Sequence, residues 1–355
     1  MNREETNISQ LSRLYESYGY SYYKVSRFEE YDLYVRNKNF LSGGQILTFN
    51  DADGRLMALK PDVTLSIVKN TKDDADMQKI YYKENVYRVL HSGEGFREIM
   101  QSGLECIGDI DLYATAEVIM LAASSLRAVS EEYILDISHI GIMDGILKDT
   151  DREFSAAVRK AMSEKNLPMV RKICEQGDIE TSKRQLLEQL VIMYEPIDKS
   201  ITKLENMNLP KECEEAVNEL AALQDVLKLH GIEKNIYLDF SIVCDTDYYN
   251  GIFFKGFIAG IAESVLSGGR YDNLMRKMNK KSGAIGFALY LDQIESIESK
   301  EERYDADVLI IYKEGSNIGK IIEAARKCIA EGKTVRVQKT AGVRTKEVIE
   351  IGADD

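Results

Sequence analysis

Strand-like segments occupy two separated parts of this chain, and a long helical stretch lies between them. From about 143 to 233 the sequence is rich in Lys, Glu, Leu and Met, and its apolar residues recur at helical spacing. Patterns typical of strands occur on both sides of this stretch, at 45–49, 55–59, 78–108, 132–140, 235–243, 251–261 and 283–289. This arrangement predicts a sheet-containing domain that carries an all-helical insertion.

Shorter elements complete the predicted domain. An amphipathic helix is predicted over 4–18, and Asp53-Gly54 predicts a hairpin turn between two of the strand patterns. A short helix is predicted to start near Asp62, and a longer one covers 114–130.

The last part of the chain has a pattern of its own. A charged linker is predicted at 299–305, and the segments after it have the patterns of a strand, a helix around 317–331 and a second strand. We therefore expect two domains, one over 1–298 and a small α/β domain over 305–355.

Composition limits the classes of function. The net charge is −13, which does not favour nucleic acid as a main partner, because such binding depends on neutralising phosphates. No stretch approaches 18 consecutive apolar residues, and the first ten residues have no signal-peptide core, so a cytoplasmic protein is expected. The five cysteines contain no C-x-x-C pair, and the three histidines are not spaced as metal ligands. We expect neither a metal nor a cofactor.

The segment 81–108 contains a candidate ligand site. Residues two apart in a strand share a face, so Gln101, Gly103 and Glu105 line up. A glycine between two polar side chains would let a small ligand lie close to the backbone. Arg88, on a nearby strand, could bind a carboxylate with its fork of donors. The alternative is a solvated sheet face that carries ordinary charges.

Two other segments add candidates. Asp62 and Thr64 lie beside a predicted helix start, where they would cap the helix or, for Asp62, bind a ligand ammonium group. Tyr248 and Tyr249 precede Asn250-Gly251 in a predicted turn and could equally belong to the core. Farther along, Gly268-Gly269 predicts a tight bend that projects Arg270 and Tyr271.

Taken in order, six segments resemble the class II catalytic domain of histidyl-tRNA synthetases over roughly residues 5–300. They are KPDVT, VYR, REIMQSGLECIG, DYYNGIFF, SGGRYDNL and GAIGFAL. The resemblance implies an α+β fold, with an antiparallel sheet flanked by helices, a helical insertion and a small α/β C-terminal piece. It also implies a dimer, since class II folds dimerise.

The resemblance implies a histidine-binding pocket as well. Matched position by position, Asp62 and Thr64 would bind the ligand ammonium group, and Arg88 and Gln101 would bind its carboxylate. Glu105 and Tyr249 would face the imidazole, with Tyr248 and Tyr271 as walls. An acid, an amide and an arginine complement a zwitterion that carries a basic ring.

The sequence departs from the family where ATP is handled. The family's second motif runs Phe-Arg-x-Glu-Arg, but here Leu90 and His91 follow Arg88-Val89. Cys244 stands where the family has the arginine that stabilises adenylation, and Gln293 replaces the arginine of the third motif. Because adenylyl transfer depends on positioned positive charge, these changes argue against adenylation.

A retained amino-acid pocket without ATP chemistry resembles the regulatory subunits of ATP phosphoribosyltransferase. That resemblance implies a non-catalytic subunit that activates the short catalytic subunit, senses L-histidine and belongs to a hetero-oligomer in histidine biosynthesis. Two alternatives stay open at this point. One is an active histidyl-tRNA synthetase with drifted motifs, and the other is a free-standing amino-acid-binding or translation-control module.

Overall fold

The computed structural model describes residues 3–37, 46–72, 76–89, 95–242, 248–298 and 304–352. The chain divides into two compact units, Met1–Glu295 and Ser296–Asp355. Most of the predicted linker at 299–305 lies outside the described residues.

The large unit contains twelve strands and most of the described helices. The strands are β1 (Ser21–Tyr22), β2 (Phe28–Glu30), β3 (Thr48–Asn50), β4 (Leu56–Leu59), β5 (Gln78–Val89), β6 (Phe96–Gly108), β7 (Tyr133–His139), β8 (Tyr194–Pro196), β9 (Ile236–Asp239), β10 (Ile252–Ile258), β11 (Leu266–Arg270) and β12 (Gly283–Tyr290). The helices are α1 (Arg3–Ser17), α2 (Tyr31–Arg36), α3 (Thr64–Asn70), α4 (Leu112–Val129), α5 (Ile140–Ile146), α6 (Arg152–Ser163), α7 (Leu167–Gln176), α8 (Thr181–Val191), α9 (Ile197–Asn206), α10 (Glu214–Leu229), α11 (Asp272–Lys277) and α12 (Leu291–Glu298).

Nine strands form one sheet, in the order β1-β5-β6-β12-β11-β10-β7-β9-β8. Only the pairs β1–β5 and β7–β9 are parallel; the other neighbours are antiparallel. The predicted α+β fold with an antiparallel sheet flanked by helices is therefore confirmed. β5 and β6 form the longest pairing, which runs from Gln78 opposite Ile107 to Val89 opposite Phe96.

One face of this sheet is covered by α1 and α4. Asp111 caps α4 by accepting a hydrogen bond from the N–H of Ala114, and twelve of its side chains are buried. Tyr15 in α1 is hydrogen-bonded to Ser125 in α4 at 2.9 Å. α4 is long and apolar enough to cross a membrane, but 67% of it is buried inside the protein, as expected of a core helix.

A smaller sheet has the order β2-β4-β3, in which β3 and β4 form the predicted hairpin. Gly54 in its turn has a φ of 80°, which favours glycine. α3 follows this sheet and begins two residues after Asp62, close to the predicted start.

The stretch between β7 and β9 is mostly helical, as its periodicity predicts, and contains α5 to α10. The prediction that it is all-helical is wrong, because β8 lies within it and pairs with β9 at the edge of the sheet. The ring of Tyr194 in β8 stacks on that of Tyr237 in β9 at 5.1 Å. A strand of three residues is too short to show a period of its own in the sequence.

The bend predicted at Gly268-Gly269 is also wrong, because both residues lie inside β11. A Cβ at Gly268 would approach the carbonyl oxygen of Gly286 to 2.5 Å, and one at Gly269 would approach Cβ of Phe253 to 2.7 Å. Glycine is required here because neighbouring strands and side chains pack closely, not because the chain turns.

The small unit contains β13 (Ala306–Tyr312), α13 (Ile318–Ala330), β14 (Val335–Gln338) and β15 (Thr345–Ile351). β13, α13 and β14 form the predicted β-α-β unit with parallel strands. β15 was not predicted; it pairs with β13 in parallel on the other side. The core of the small unit includes Val308, Ile310, Ile321 and Cys328.

Candidate functional site

A cavity of about 260 Å³ opens on the face of the large sheet opposite α1 and α4. All eight residues predicted from the sequence line it: Asp62, Thr64, Arg88, Gln101, Glu105, Tyr248, Tyr249 and Tyr271. They come from segments that are far apart in the sequence, on β5, β6, α3 and the ends of β10 and β11. The structure therefore brings the whole predicted set together.

Glu105 in β6 is the most tightly held of these side chains. It is buried, and its two carboxylate oxygens accept hydrogen bonds from Thr64 Oγ1 at 2.8 Å and from the Tyr271 hydroxyl at 2.6 Å. Gly286 lies directly across the strand pair, and a Cβ there would come within 1.8 Å of Glu105 Oε2. The carboxylate thus occupies space that only a glycine at 286 leaves free.

Burial shapes the electrostatics of the cavity. It raises the pKa of Glu105 to about 8, against the opposing effect of the bonds from Tyr271 and Thr64. It also raises the pKa of Asp62, although the Leu65 N–H and the charge of Arg88 favour the ionised carboxylate. A buried acid and a partly buried one that share a small cavity favour a ligand that brings a positive charge or hydrogen-bond donors.

Asp62 has the capping role that one interpretation of its sequence position predicts, and it also lies at the cavity. Its Oδ1 accepts a hydrogen bond from the Leu65 N–H at 2.8 Å, which caps the first turn of α3, and its side chain also lines the cavity. Arg88 donates from Nε to the carbonyl oxygen of Pro61 at 3.0 Å. That contact fixes the guanidinium beside the turn that carries Asp62.

Gln101 presents an unsatisfied donor. Its side chain is only 2% exposed, and among the described residues its Nε2 has no hydrogen-bond partner. A buried amide without a partner costs free energy, so this N–H group favours a ligand that supplies an acceptor such as a carboxylate oxygen.

Several cavity residues were not predicted from the sequence: Tyr82, Ser267, Gly286, Phe287, Ala288 and Tyr290. Tyr82 also corrects the role predicted for Gly103. A Cβ at Gly103 would lie 2.6 Å from the Tyr82 hydroxyl, so the ring of Tyr82, rather than a ligand, occupies the space above this glycine. The cross-strand register places Tyr82 opposite Gly103, and that register could not be read from the separate segments.

Two of the residues at the positions of the family's ATP-binding groups are hydrogen-bonded to other parts of this chain. Gln293 donates to Glu263 at 3.2 Å, and Asp292 accepts a hydrogen bond from the Met100 N–H at 2.8 Å. Leu90, His91 and Cys244 lie outside the described residues. Within the described ranges, no group of three or more His, Cys, Asp or Glu side chains could hold a metal ion.

The cavity as a whole has a defined chemical character. It contains two acids, Asp62 and Glu105, and two groups that donate hydrogen bonds, Arg88 and the Gln101 amide. Tyrosine rings form its walls, and the ring centroids of Tyr248 and Tyr271 are 5.8 Å apart. Such a set complements a small zwitterion with a polar ring.

Solved structures with the same fold include relatives of two kinds. The structure of an ATP phosphoribosyltransferase regulatory subunit/histidyl-tRNA synthetase from Bacillus halodurans superposes with a TM-score of 0.78 at 26% identity, covering 98% of this chain and 94% of that one. Histidyl-tRNA synthetase from Nostoc gives 0.74 at 17% identity, covering 96% and 83%. A chain of the ATP phosphoribosyl transferase (HisG:HisZ) complex from Thermotoga maritima gives 0.64 at 20%, covering 80% and 96%; the last two show the fold alone.

Sequence comparison gives the same picture. The ATP phosphoribosyltransferase regulatory subunit of Clostridium kluyveri is 29% identical over 336 residues, which are 91% of this chain and 85% of that protein. The protein of the same name from a Geobacillus species is 28% identical over 339 residues, 93% and 85% of the two chains. The predicted resemblance to these regulatory subunits is thus confirmed. The sequence model of the histidyl-tRNA synthetase family matches residues 1–294, and the chain belongs to that family.

Proposed function

We propose that this chain is the regulatory subunit of ATP phosphoribosyltransferase, that it activates the short catalytic subunit, and that it senses L-histidine. It supplies none of the reacting groups itself. The names of the relatives that match most of the chain support the regulatory role, and the cavity supports the sensing role.

One observation supports the sensing role: a single cavity contains side chains that complement each part of histidine. Asp62 would bind the ammonium group, and Arg88 and Gln101 would bind the carboxylate. Glu105 and the tyrosines would contact the imidazole. The buried Gln101 Nε2 lacks a partner among the described residues, and a histidine carboxylate would supply one.

Regulation then follows from binding alone. Histidine inhibits only if it binds the inactive arrangement of the complex more tightly than the active one.

The partners of this chain are the catalytic subunit and a second copy of itself, in the cytoplasm. Phe28 in β2 and Phe49 in β3 form an apolar pair that is exposed in the single chain. This pair would be covered in an assembly.

The test mixes this chain with the short catalytic subunit and follows product formation against histidine concentration. We expect the catalytic subunit to be nearly inactive alone, active with this chain, and inhibited by histidine. Glu105→Ala should activate but lose the inhibition, while Glu98→Ala, on the same strand but outside the cavity, should behave as wild type. Inhibition of Glu105→Ala at wild-type histidine concentrations would place the sensor elsewhere. If the chain fails to activate, a free-standing amino-acid-binding module becomes the better proposal.

The family match itself favours a second candidate, an active histidyl-tRNA synthetase. ATP–pyrophosphate exchange separates the two. The regulatory proposal expects no histidine-dependent exchange and no charging of tRNA, because Gln293 carries no positive charge at the site of the third-motif arginine. Exchange at a rate normal for a synthetase would overturn it.

A further inference from the structure

We propose that the buried ion pair between Lys60 and Glu84 fixes the position of Asp62 in the amino-acid cavity. By doing so, the pair determines the selectivity for a ligand with an ammonium group. This inference rests on the proposed histidine sensing. Neither residue lines the cavity.

The pair is unusually buried for two long charged side chains. Lys60 is completely buried, Glu84 is 12% exposed, and Lys60 Nζ lies 2.6 Å from Glu84 Oε2. The other oxygen of Glu84 accepts a hydrogen bond from the Val25 N–H at 3.0 Å. Burying two charges is expensive, and a hydrophobic pair of similar volume would often be as stable, so stability alone does not account for this pair.

The location of the pair connects it to the cavity. Glu84 lies in β5 opposite Gln101 and on the same face as Tyr82, two residues away. Lys60 precedes Pro61 and Asp62 directly. The ion pair therefore ties the turn that carries Asp62 to the strand that carries Tyr82 and Arg88.

Two further contacts hold the same turn to β5. The Tyr87 N–H donates to the carbonyl oxygen of Lys60 at 3.0 Å, and Arg88 Nε donates to the carbonyl oxygen of Pro61 at 3.0 Å. Both contacts use backbone atoms of the turn. The Lys60–Glu84 pair instead holds the turn through the buried side chain of Lys60. Loss of the pair would leave these two contacts as a hinge, and Asp62 would no longer be held at one distance from Arg88.

The experiment compares two double variants. Lys60→Met/Glu84→Gln removes the pair and leaves no lone buried charge, while the amide oxygen introduced by Glu84→Gln still offers an acceptor to the Val25 N–H. The matched control is Lys79→Met/Glu117→Gln. Lys79 and Glu117 also lie 2.6 Å apart and are largely buried, and Lys79 starts from β5 as well, but it faces the opposite side of the sheet. Urea unfolding establishes that both variants are folded.

Calorimetry then measures binding of histidine and of imidazole-4-propionate, which is histidine without its α-amino group. In Lys60→Met/Glu84→Gln we expect histidine to bind about tenfold more weakly or worse, because a charge-assisted contact at Asp62 is lost, while the deamino analogue changes by less than about twofold. The control should leave both affinities unchanged, and the single variant Lys60→Arg, which keeps the ion pair, should keep the selectivity. Equal weakening of both ligands, or wild-type selectivity, would overturn the inference.

A readout without ligand separates this inference from the proposed function. The Leu65 N–H is protected by its bond to Asp62 Oδ1, so its hydrogen exchange reports the place of Asp62. Exchange at Leu65 should accelerate in Lys60→Met/Glu84→Gln and not in the control; unchanged exchange counts against positioning. If wild type binds no histidine, the sensing proposal fails, and the exchange at Leu65 still decides whether the pair positions Asp62.

Discussion

Glu105 is a buried acid, and burying its carboxylate costs free energy in the empty protein. Both of its oxygens accept hydroxyl hydrogen bonds, yet burial raises its pKa to about 8. The empty cavity therefore favours the neutral acid at pH 7. A ligand that brings a cationic or donor group next to it would offset the cost of ionising it.

This cost predicts a pH-dependent gain in stability for Glu105→Gln. The folded-state pKa of about 8 lies above the value of 4.5 for a free side chain, so between these values the unfolded chain releases a proton that the folded chain keeps. Wild-type stability consequently falls as pH rises through this window and levels off above about pH 8. Relative to wild type, Glu105→Gln should gain on the order of 4 kcal/mol in free energy of unfolding between pH 4.5 and pH 8.5.

Urea unfolding across this pH range measures the effect. Glu188 is the control, because its contribution to stability changes with pH in the opposite direction. Hydrogen bonds from Arg184 and Arg171 lower the pKa of Glu188, so its contribution to stability is present above the unfolded pKa and is lost as pH falls. Glu188→Gln should therefore lose stability at neutral pH. A Glu105→Gln difference that does not change with pH would contradict the raised pKa.

At the scale of elements, the sequence was informative wherever a period or a motif was long enough. The helices of the inserted stretch and the β3–β4 hairpin follow from their spacing, as do six of the nine strands of the large sheet, and the eight cavity residues follow from motif order. What escaped prediction depends on contacts between strands. β8 is too short to show a period, and Tyr82 enters the cavity because of its register opposite Gly103. Likewise, Gly268 and Gly269 reflect close packing in β11, which a local pattern cannot distinguish from a turn.

The contact between β6 and β12 gives a prediction at this scale. Gly286→Ala would place a Cβ 1.8 Å from Glu105 Oε2 and also against the backbone carbonyl oxygen of Leu104, so the carboxylate must leave its bonds to Thr64 and Tyr271 and β12 must shift against β6. Histidine affinity should fall by about 10- to 100-fold, as expected when one charge-assisted contact is lost. Calorimetry measures this affinity directly.

The matched control is Gly256→Ala in β10, where an added Cβ would lie 2.6 Å from Leu126 in α4, on the opposite face of the sheet. It should reduce stability through overpacking but leave histidine affinity unchanged. Unchanged affinity in Gly286→Ala, or an equal loss in both variants, would show that Glu105 does not act from its observed position.

At the scale of the whole molecule, the proposed function separates ligand binding from chemistry. The large unit keeps a cavity suited to an amino acid, while Gln293 and Asp292, at the third motif, are engaged with Glu263 and the Met100 N–H. Binding energy that drives no reaction on this chain is still available to shift an equilibrium between arrangements of a complex. The proposed regulatory role requires only that histidine prefers one of them.

Reciprocity makes this requirement measurable. If histidine weakens the binding of the catalytic subunit's substrates by favouring the inactive arrangement, then those substrates must weaken histidine binding by the same factor, provided that they favour the active arrangement. A coupling free energy of about 1–3 kcal/mol corresponds to roughly 5- to 150-fold. We therefore expect calorimetric titration of histidine into the complex to give a Kd that rises by such a factor when the substrates are present. The isolated chain is the control, and its histidine affinity should not respond to the substrates, because their site lies on the partner. If histidine inhibits the complex while its Kd is the same with and without substrates, the two ligands are not coupled through their binding equilibria, and a shift between arrangements that differ in substrate affinity is contradicted.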